Sequence, residues 1–228
     1  MPVSLFGGDG GKDPATRALS VTDVQSTFVE DVYDRLGWKL DDWLFGPSLH
    51  PGRLQAIRKL DLQPGDRVLE VGVGSGINAT LYPRYVNVTG IDLSNRMLEK
   101  ARRRLASRSV DNVRLQQMDA SALEFPDDSF DLVYAPYVIS VCSDPVAVAR
   151  EMRRVCRPGG RFVFLNHFRS PNRLLARAER WLSPLTVHIG FKADLDLPAF
   201  LAQADLNPVS IEKVNIPRIW SLVTCSKD

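Results

Sequence analysis

Cysteine is scarce in this chain and dispersed where it occurs: Cys142, Cys156 and Cys225 are the three in 228 residues. An odd, scattered set supports neither a disulfide framework nor a zinc cluster, so no metal site is expected and a reducing cytoplasm fits best. Long apolar runs are also missing. No stretch reaches the roughly 20 residues that span a bilayer, and the N-terminus lacks a basic segment leading into a hydrophobic one, so any membrane contact is expected to be peripheral. Net charge is small, at +2, which argues against a nucleic-acid protein working through bulk electrostatics. Internal repeats are absent, and so are low-complexity tracts outside the first residues.

What the chain does have is the size and apolar content, 44% hydrophobic, for one well-buried α/β domain, expected over residues 15–228. Residues 1–14, with Gly7-Gly8-Asp9-Gly10-Gly11, read as a tail. Residues 15–60 read as a helical lid. Its first helix carries Val21, Val24, Phe28, Val32 and Leu36 at helical spacing and an acidic polar face. The aromatic residues Trp38, Trp43 and Phe45 follow, and then Pro51, suited to the first turn of a helix ending near Leu60.

After Pro64-Gly65-Asp66 strands and helices alternate strictly as far as Asn166, which implies a doubly wound parallel sheet with right-handed crossovers. The spacing predicts strands at 66–71, 86–91, 112–117, 129–135 and 160–166, and helices at 76–82, 94–107 and 144–156. A basic helix at 171–182 and another helix at 195–204 follow. The alternating runs 208–214 and 219–225 predict an antiparallel pair completing the sheet.

The densest chemistry lies in Val68-Leu69-Glu70-Val71-Gly72-Val73-Gly74-Ser75-Gly76, followed by Asp92 at the end of the next strand. Such a turn needs glycine because a Cβ would block a ligand and forbid positive φ. A carboxylate at Asp92 accepts hydrogen bonds from ribose hydroxyls, so the pair predicts a nucleoside pocket. The glycines alone also satisfy the loose dinucleotide fingerprint. Glu70 favours another ligand, because inside the first strand it would hold an ammonium group and repel a pyrophosphate. Asp119, past the third strand, stands within reach of an adenine amino group.

This spacing resembles the class I S-adenosylmethionine-dependent methyltransferases. The resemblance implies a Rossmann-like sheet of seven mostly parallel strands, with N-terminal helices and a helical insertion after strand five, at 167–204. It implies S-adenosyl-L-methionine as cofactor, in a pocket formed by Glu70, Gly72, Gly74, Gly76, Asp92, Leu93, Met97, Asp119, Ala120 and Ala135. Four further runs, Leu81-Tyr82-Pro83-Arg84, Tyr137-Val138-Ile139-Ser140-Val141, Asn166-His167-Phe168 and Trp220-Ser221-Leu222-Val223-Thr224-Cys225, are similar to the soluble bacterial phosphatidylethanolamine N-methyltransferases. Phe45-Gly46 and Gly52-Arg53 follow that family's N-terminal pattern. Asp41-Asp42 departs from it, standing where the family carries Tyr-Asp. The implied reaction is methylation of an ethanolamine headgroup, in up to three steps, to phosphatidylcholine. His167, Tyr137 and Asn166 are the candidate catalytic residues: His167 as acceptor of the amine proton, and Tyr137 orienting the amine through its hydroxyl or facing it with its ring.

Arg150 to Arg180 hold nine Arg against two Glu, and Arg173, Arg177 and Arg180 recur at helical spacing among Leu174, Leu175, Ala178, Trp181 and Leu182. Such a helix suits an anionic bilayer surface. The expected enzyme is therefore cytoplasmic and peripherally bound to the inner membrane, with a phospholipid as partner and no nucleic acid. Two other readings fit the same residues: a methyltransferase for a quinone or soluble amine, and a cofactor-binding pseudoenzyme that docks to membranes.

Overall fold

The computed structural model describes residues 46–169, 195–215 and 220–228. The expected tail, the helix at 21–36, the residues Trp38, Trp43 and Phe45, and Arg173, Arg177 and Arg180 lie outside them. In chain order the elements are α1 (Gly46–Lys59), β1 (Arg67–Val71), a 3-10 turn (Asn78–Thr80), β2 (Asn87–Asp92), α2 (Asn95–Ser107), β3 (Val113–Gln117) and β4 (Phe130–Pro136). There follow α3 (Pro145–Val155), β5 (Cys156–His167), α4 (Leu197–Gln203), β6 (Pro208–Val214) and β7 (Trp220–Ser226).

The seven strands form one sheet in the order β3-β2-β1-β4-β5-β7-β6. β1 to β5 are parallel, and β7 is antiparallel to both of its neighbours. Both sheet faces are covered, so its central strands are apolar nearly throughout. On one face α1 packs Ala56 and Ile57, with Leu60 just past its end, against Val68, Leu132, Val163, Leu165 and Leu222. On the other, α3 and α4 pack Val148, Met152 and Phe200 against Leu69, Val71, Val133 and Phe164. Alternate residues of each strand therefore belong to different cores.

The helices begin where side chains can cap them. The Ser94 hydroxyl accepts the Met97 N–H at the start of α2, and Asp144 accepts those of Val146 and Ala147 at the start of α3. In α2 the buried stripe is Met97, Leu98, Ala101 and Leu105, a spacing that turns one face inward.

Two helical expectations change. The helix expected at 76–82 is a single 3-10 turn, because Gly76 takes a positive φ of 79° and Tyr82, preceding Pro83, is disfavoured in the α region. The helix expected to start at Pro51 starts at Gly46, with Pro51 inside it. That position forfeits the hydrogen bond to the carbonyl four residues earlier, and the helix continues to Lys59.

Candidate active site

The parallel strands end along one edge of the sheet, and the spatial order β3-β2-β1-β4 fixes the order of the groups there. Asp119 follows β3, Asp92 ends β2, Glu70 lies in β1, and Tyr137 follows β4. All four line one cavity, together with Gly72, Gly74, Leu93, Met97, Ala120, Arg53, Asn78 and Val138. A crevice beyond the carboxyl ends of parallel strands is where open α/β sheets bind ligands.

The glycine turn is fitted tightly. Gly72 and Gly74 have φ of 70° and 54°, and a Cβ on Gly72 would run into a Val138 methyl group. Asp92 closes the turn: one carboxylate oxygen accepts the Gly74 N–H at 2.8 Å and the other the Ser94 N–H at 2.9 Å. Asp119 is held by the Ser121 N–H and hydroxyl, both on one oxygen at 2.8 Å. Leu93, 42% exposed, is an apolar group standing at the rim of this polar edge.

Glu70 and its surroundings are the most unusual part. Its side chain points to the α1 face and is 1% exposed. Burial raises its pKa from 4.5 to about 7, although Tyr82, Arg53 and Asn78 all pull the other way. Arg53, itself 8% exposed, donates to Asn78 Oδ1 at 3.1 Å and places its guanidinium 4.9 Å above the Tyr137 ring. Around them, Glu70 Oε2, Asn78 Nδ2, Tyr82 Oη, Tyr134 Oη and Tyr137 Oη are buried and have no hydrogen-bond partner. Each such group costs about 1–3 kcal/mol when left unsatisfied. Of these, Glu70, Asn78 and Tyr137 line the cavity and give it a polar wall that suits a charged ligand group.

Several expected site residues lie elsewhere. Gly76 does not line the cavity; its missing Cβ lets the turn pack against Ala101 of α2. Ala135 is fully buried in the α3 core, and Pro136 reaches the cavity in its place. Asn166 and His167 are also absent from the lining and, being consecutive in β5, face opposite sides. Asn166, fully buried, accepts the Ser140 hydroxyl at 3.2 Å and donates to the His167 carbonyl at 2.8 Å, pinning the segment after β4. His167 packs against Trp220, with ring centroids 5.8 Å apart, and Trp220 in turn packs edge-on against Tyr137 at 4.8 Å. Arg53 covers the face of the Tyr137 ring, so among the described residues the hydroxyl is the part of Tyr137 that remains unpartnered.

Residues 69–164 match the model of the methyltransferase domain family. The chain is 39% identical to a phosphatidylethanolamine N-methyltransferase from Cereibacter sphaeroides over 173 residues, 75% of this chain and 85% of that protein. It is a class I S-adenosylmethionine-dependent methyltransferase. The chain is also 35% identical to a ubiquinone/menaquinone biosynthesis C-methyltransferase from Pseudomonas putida, over 66% of this chain and 62% of that protein. In fold it resembles the Haemonchus contortus phosphoethanolamine N-methyltransferase 2, solved with phosphomonomethylethanolamine and S-adenosylhomocysteine. There the TM-score is 0.70 at 19% identity, covering 90% of this chain and 61% of that one.

The methyltransferase's cavity fits S-adenosylmethionine. A buried carboxyl beside a buried guanidinium suits the amino-acid end, and the Asp92 carboxylate on the cavity at the end of β2 suits a ribose. Replacing Asp92 by Ala is expected to weaken S-adenosylhomocysteine binding roughly 10- to 100-fold by removing charge-assisted hydrogen bonds. Calorimetric titration checks this, and an unchanged affinity would contradict the ribose assignment. Sequence reasoning missed Arg53 and Asn78 on the cavity lining, and Tyr82 and Tyr134 behind Glu70. One usable signal was register: Glu70 pairs directly with Tyr134, which puts both side chains on the same face.

Proposed function

We propose that this methyltransferase methylates the amine of phosphatidylethanolamine at a membrane surface, in up to three steps, giving phosphatidylcholine. The relationship to the Cereibacter sphaeroides protein over most of its length carries the reading. When bound, S-adenosylmethionine supplies an electrophilic methyl group on its sulfonium. Glu70 then holds the cofactor's ammonium, Arg53 its carboxylate, Asp92 the ribose and Asp119 the adenine amino group, with Leu93, Met97 and Ala120 against the apolar surface of the base. The acceptor amine comes to the Tyr137 hydroxyl, whose pKa burial raises to about 12. That hydroxyl keeps its own proton at working pH, so it accepts from the amine N–H and orients the lone pair without acting as a base.

No helix among the described residues is long and apolar enough to cross a membrane, and the basic residues Arg173, Arg177 and Arg180 are the proposed contact with anionic lipid. Replacing Arg173, Arg177 and Arg180 by Gln is expected to lower binding to anionic vesicles by up to about 1 kcal/mol per residue, with a smaller loss at high salt. Cosedimentation that finds equal binding of the unaltered protein to neutral and anionic vesicles would remove this contact. Acceptor competition tests the substrate itself. With phosphatidylethanolamine vesicles, soluble phosphoethanolamine and a demethylated quinone presented together, the lipid is expected to take the methyl group; methylation confined to either of the others would replace the proposal.

A further inference from the structure

The β6–β7 hairpin, far from the cofactor turn in sequence, touches Tyr137 of the cavity wall and the helix that carries Arg53. On one leg, Asn215 follows Val214, which is buried in the core shared with Ala56 and Ile57 of α1 and with Leu60 just past its end. Asn215 takes a positive φ of 70° and is 6% exposed. Its backbone N–H donates to Gln55 Oε1 at 3.2 Å, and a Cβ built on Gly52 would meet Asn215 Cβ at 2.9 Å and Cγ at 3.0 Å. Lys59 continues the same contact by pairing with Glu212 of β6. Positions 52, 55, 56 and 59 of α1 thus form one stripe at i, i+3, i+4 and i+7 that seats on the hairpin. On the other leg, Trp220 packs edge-on against Tyr137.

Arg53 lies one residue round the helix from Gly52, with its guanidinium between Asn78 and the Tyr137 ring. Contacts therefore run in a closed circuit from Gly52 through Asn215 along the hairpin to Trp220, Tyr137 and Arg53, and back into α1. We propose that Asn215 is a positioning residue for the cofactor: its close seat against Gly52 sets the depth of α1 on the sheet and so places Arg53 over Tyr137. This rests on the reading of Arg53 as partner of the cofactor's carboxylate. A side chain at position 52 would lift α1 by a few tenths of an ångström or more, and buried, oriented partners lose much of their value over such shifts.

The test is a double-mutant cycle read by S-adenosylhomocysteine titration and thermal melting. Gly52→Ala is expected to weaken binding roughly tenfold or more. Adding Asn215→Gly removes the atoms that the new methyl group meets, while keeping the backbone bond to Gln55 and a residue at ease with positive φ. The double variant is expected to recover binding to within about threefold of the unaltered protein, a strong non-additivity. A purely structural contact would lower the melting temperature of Gly52→Ala and leave its affinity unchanged, and that result overturns the inference. So does a double variant that binds no better than Gly52→Ala. Arg53→Met serves as the separate arm: if it binds S-adenosylhomocysteine normally, the carboxylate reading fails, whereas weak binding by Arg53→Met with normal binding by Gly52→Ala defeats the positioning inference alone.

Discussion

Glu70→Gln is expected to stabilise the empty protein at alkaline pH while weakening cofactor binding about 100- to 1,000-fold. Both effects follow from one buried carboxyl. Burial raises the Glu70 pKa to about 7 from 4.5, so between those values the folded protein holds a proton that the unfolded chain has released. Stability from the neutral carboxyl is fully present below the unfolded value and is lost as pH rises through about 7, reaching up to about 3 kcal/mol at pH 8. Gln cannot ionise, so the variant's melting temperature should be level where that of the unaltered protein falls. Binding reverses the sign. The cofactor's ammonium, desolvated in the cavity, needs the carboxylate, and removing one partner of a buried ion pair costs about 3–5 kcal/mol. Affinity of the unaltered protein should therefore climb as pH rises toward 7, with the Gln variant lacking that slope. Melting curves and titrations across this range check the pair of effects; a variant that binds as tightly as the unaltered protein would remove the ammonium from Glu70.

Tyr137→Phe is expected to reduce turnover about 100- to 1,000-fold with the cofactor's affinity little changed. During attack the amine nitrogen gains positive charge, and an oriented oxygen dipole accepting its N–H stabilises that charge most in the transition state, where such groups are worth this much. The ring's packing against Trp220 and Arg53 survives in Phe, so the loss reports the hydroxyl. The third methylation should suffer least, because a dimethylated neutral amine has no N–H to donate. His167, which lies outside the cavity lining and beyond Trp220, should give a much smaller loss as Gln. In every case turnover should rise with pH in the neutral range, since only the neutral amine has a free lone pair. Rates measured separately with the unmethylated, monomethylated and dimethylated lipids decide this: an equal loss at all three steps would show that the hydroxyl does not act through the amine N–H, and full activity in the variant would leave the Tyr137 ring a packing role alone.

The sheet was legible because its signals are local and repeated: glycine-rich turns, apolar runs of strand length, and acids at successive strand ends. Asp92, Asp119, Glu70 and the first two glycines of the turn needed only that pattern, and each lies on the cavity. Ala135 stands off the cavity lining for a different kind of reason. Whether a residue at a strand end faces a ligand or a helix depends on alternation and on which helix covers that face, and one position of slip exchanges the two. Asn166 and His167, neighbours in one strand, face opposite sides of the sheet, so the pattern that named them together could not place both at one site. The polar wall was harder still. Tyr134 reaches Glu70 through the β1–β4 register, but Arg53 and Trp220 come from distant segments, and only the packing of α1 and the β6–β7 hairpin brings them to Tyr137.

The most direct measurement follows the methyl group itself. The protein is incubated with S-adenosylmethionine carrying a carbon-13 methyl group and with vesicles containing phosphatidylethanolamine, and the extracted products are examined by nuclear magnetic resonance. The account predicts label on nitrogen in the phospholipid headgroup, first in the monomethyl lipid and then in its more methylated successors. Label bonded to carbon, or confined to a water-soluble product while the lipid headgroup stays unlabelled, would contradict it.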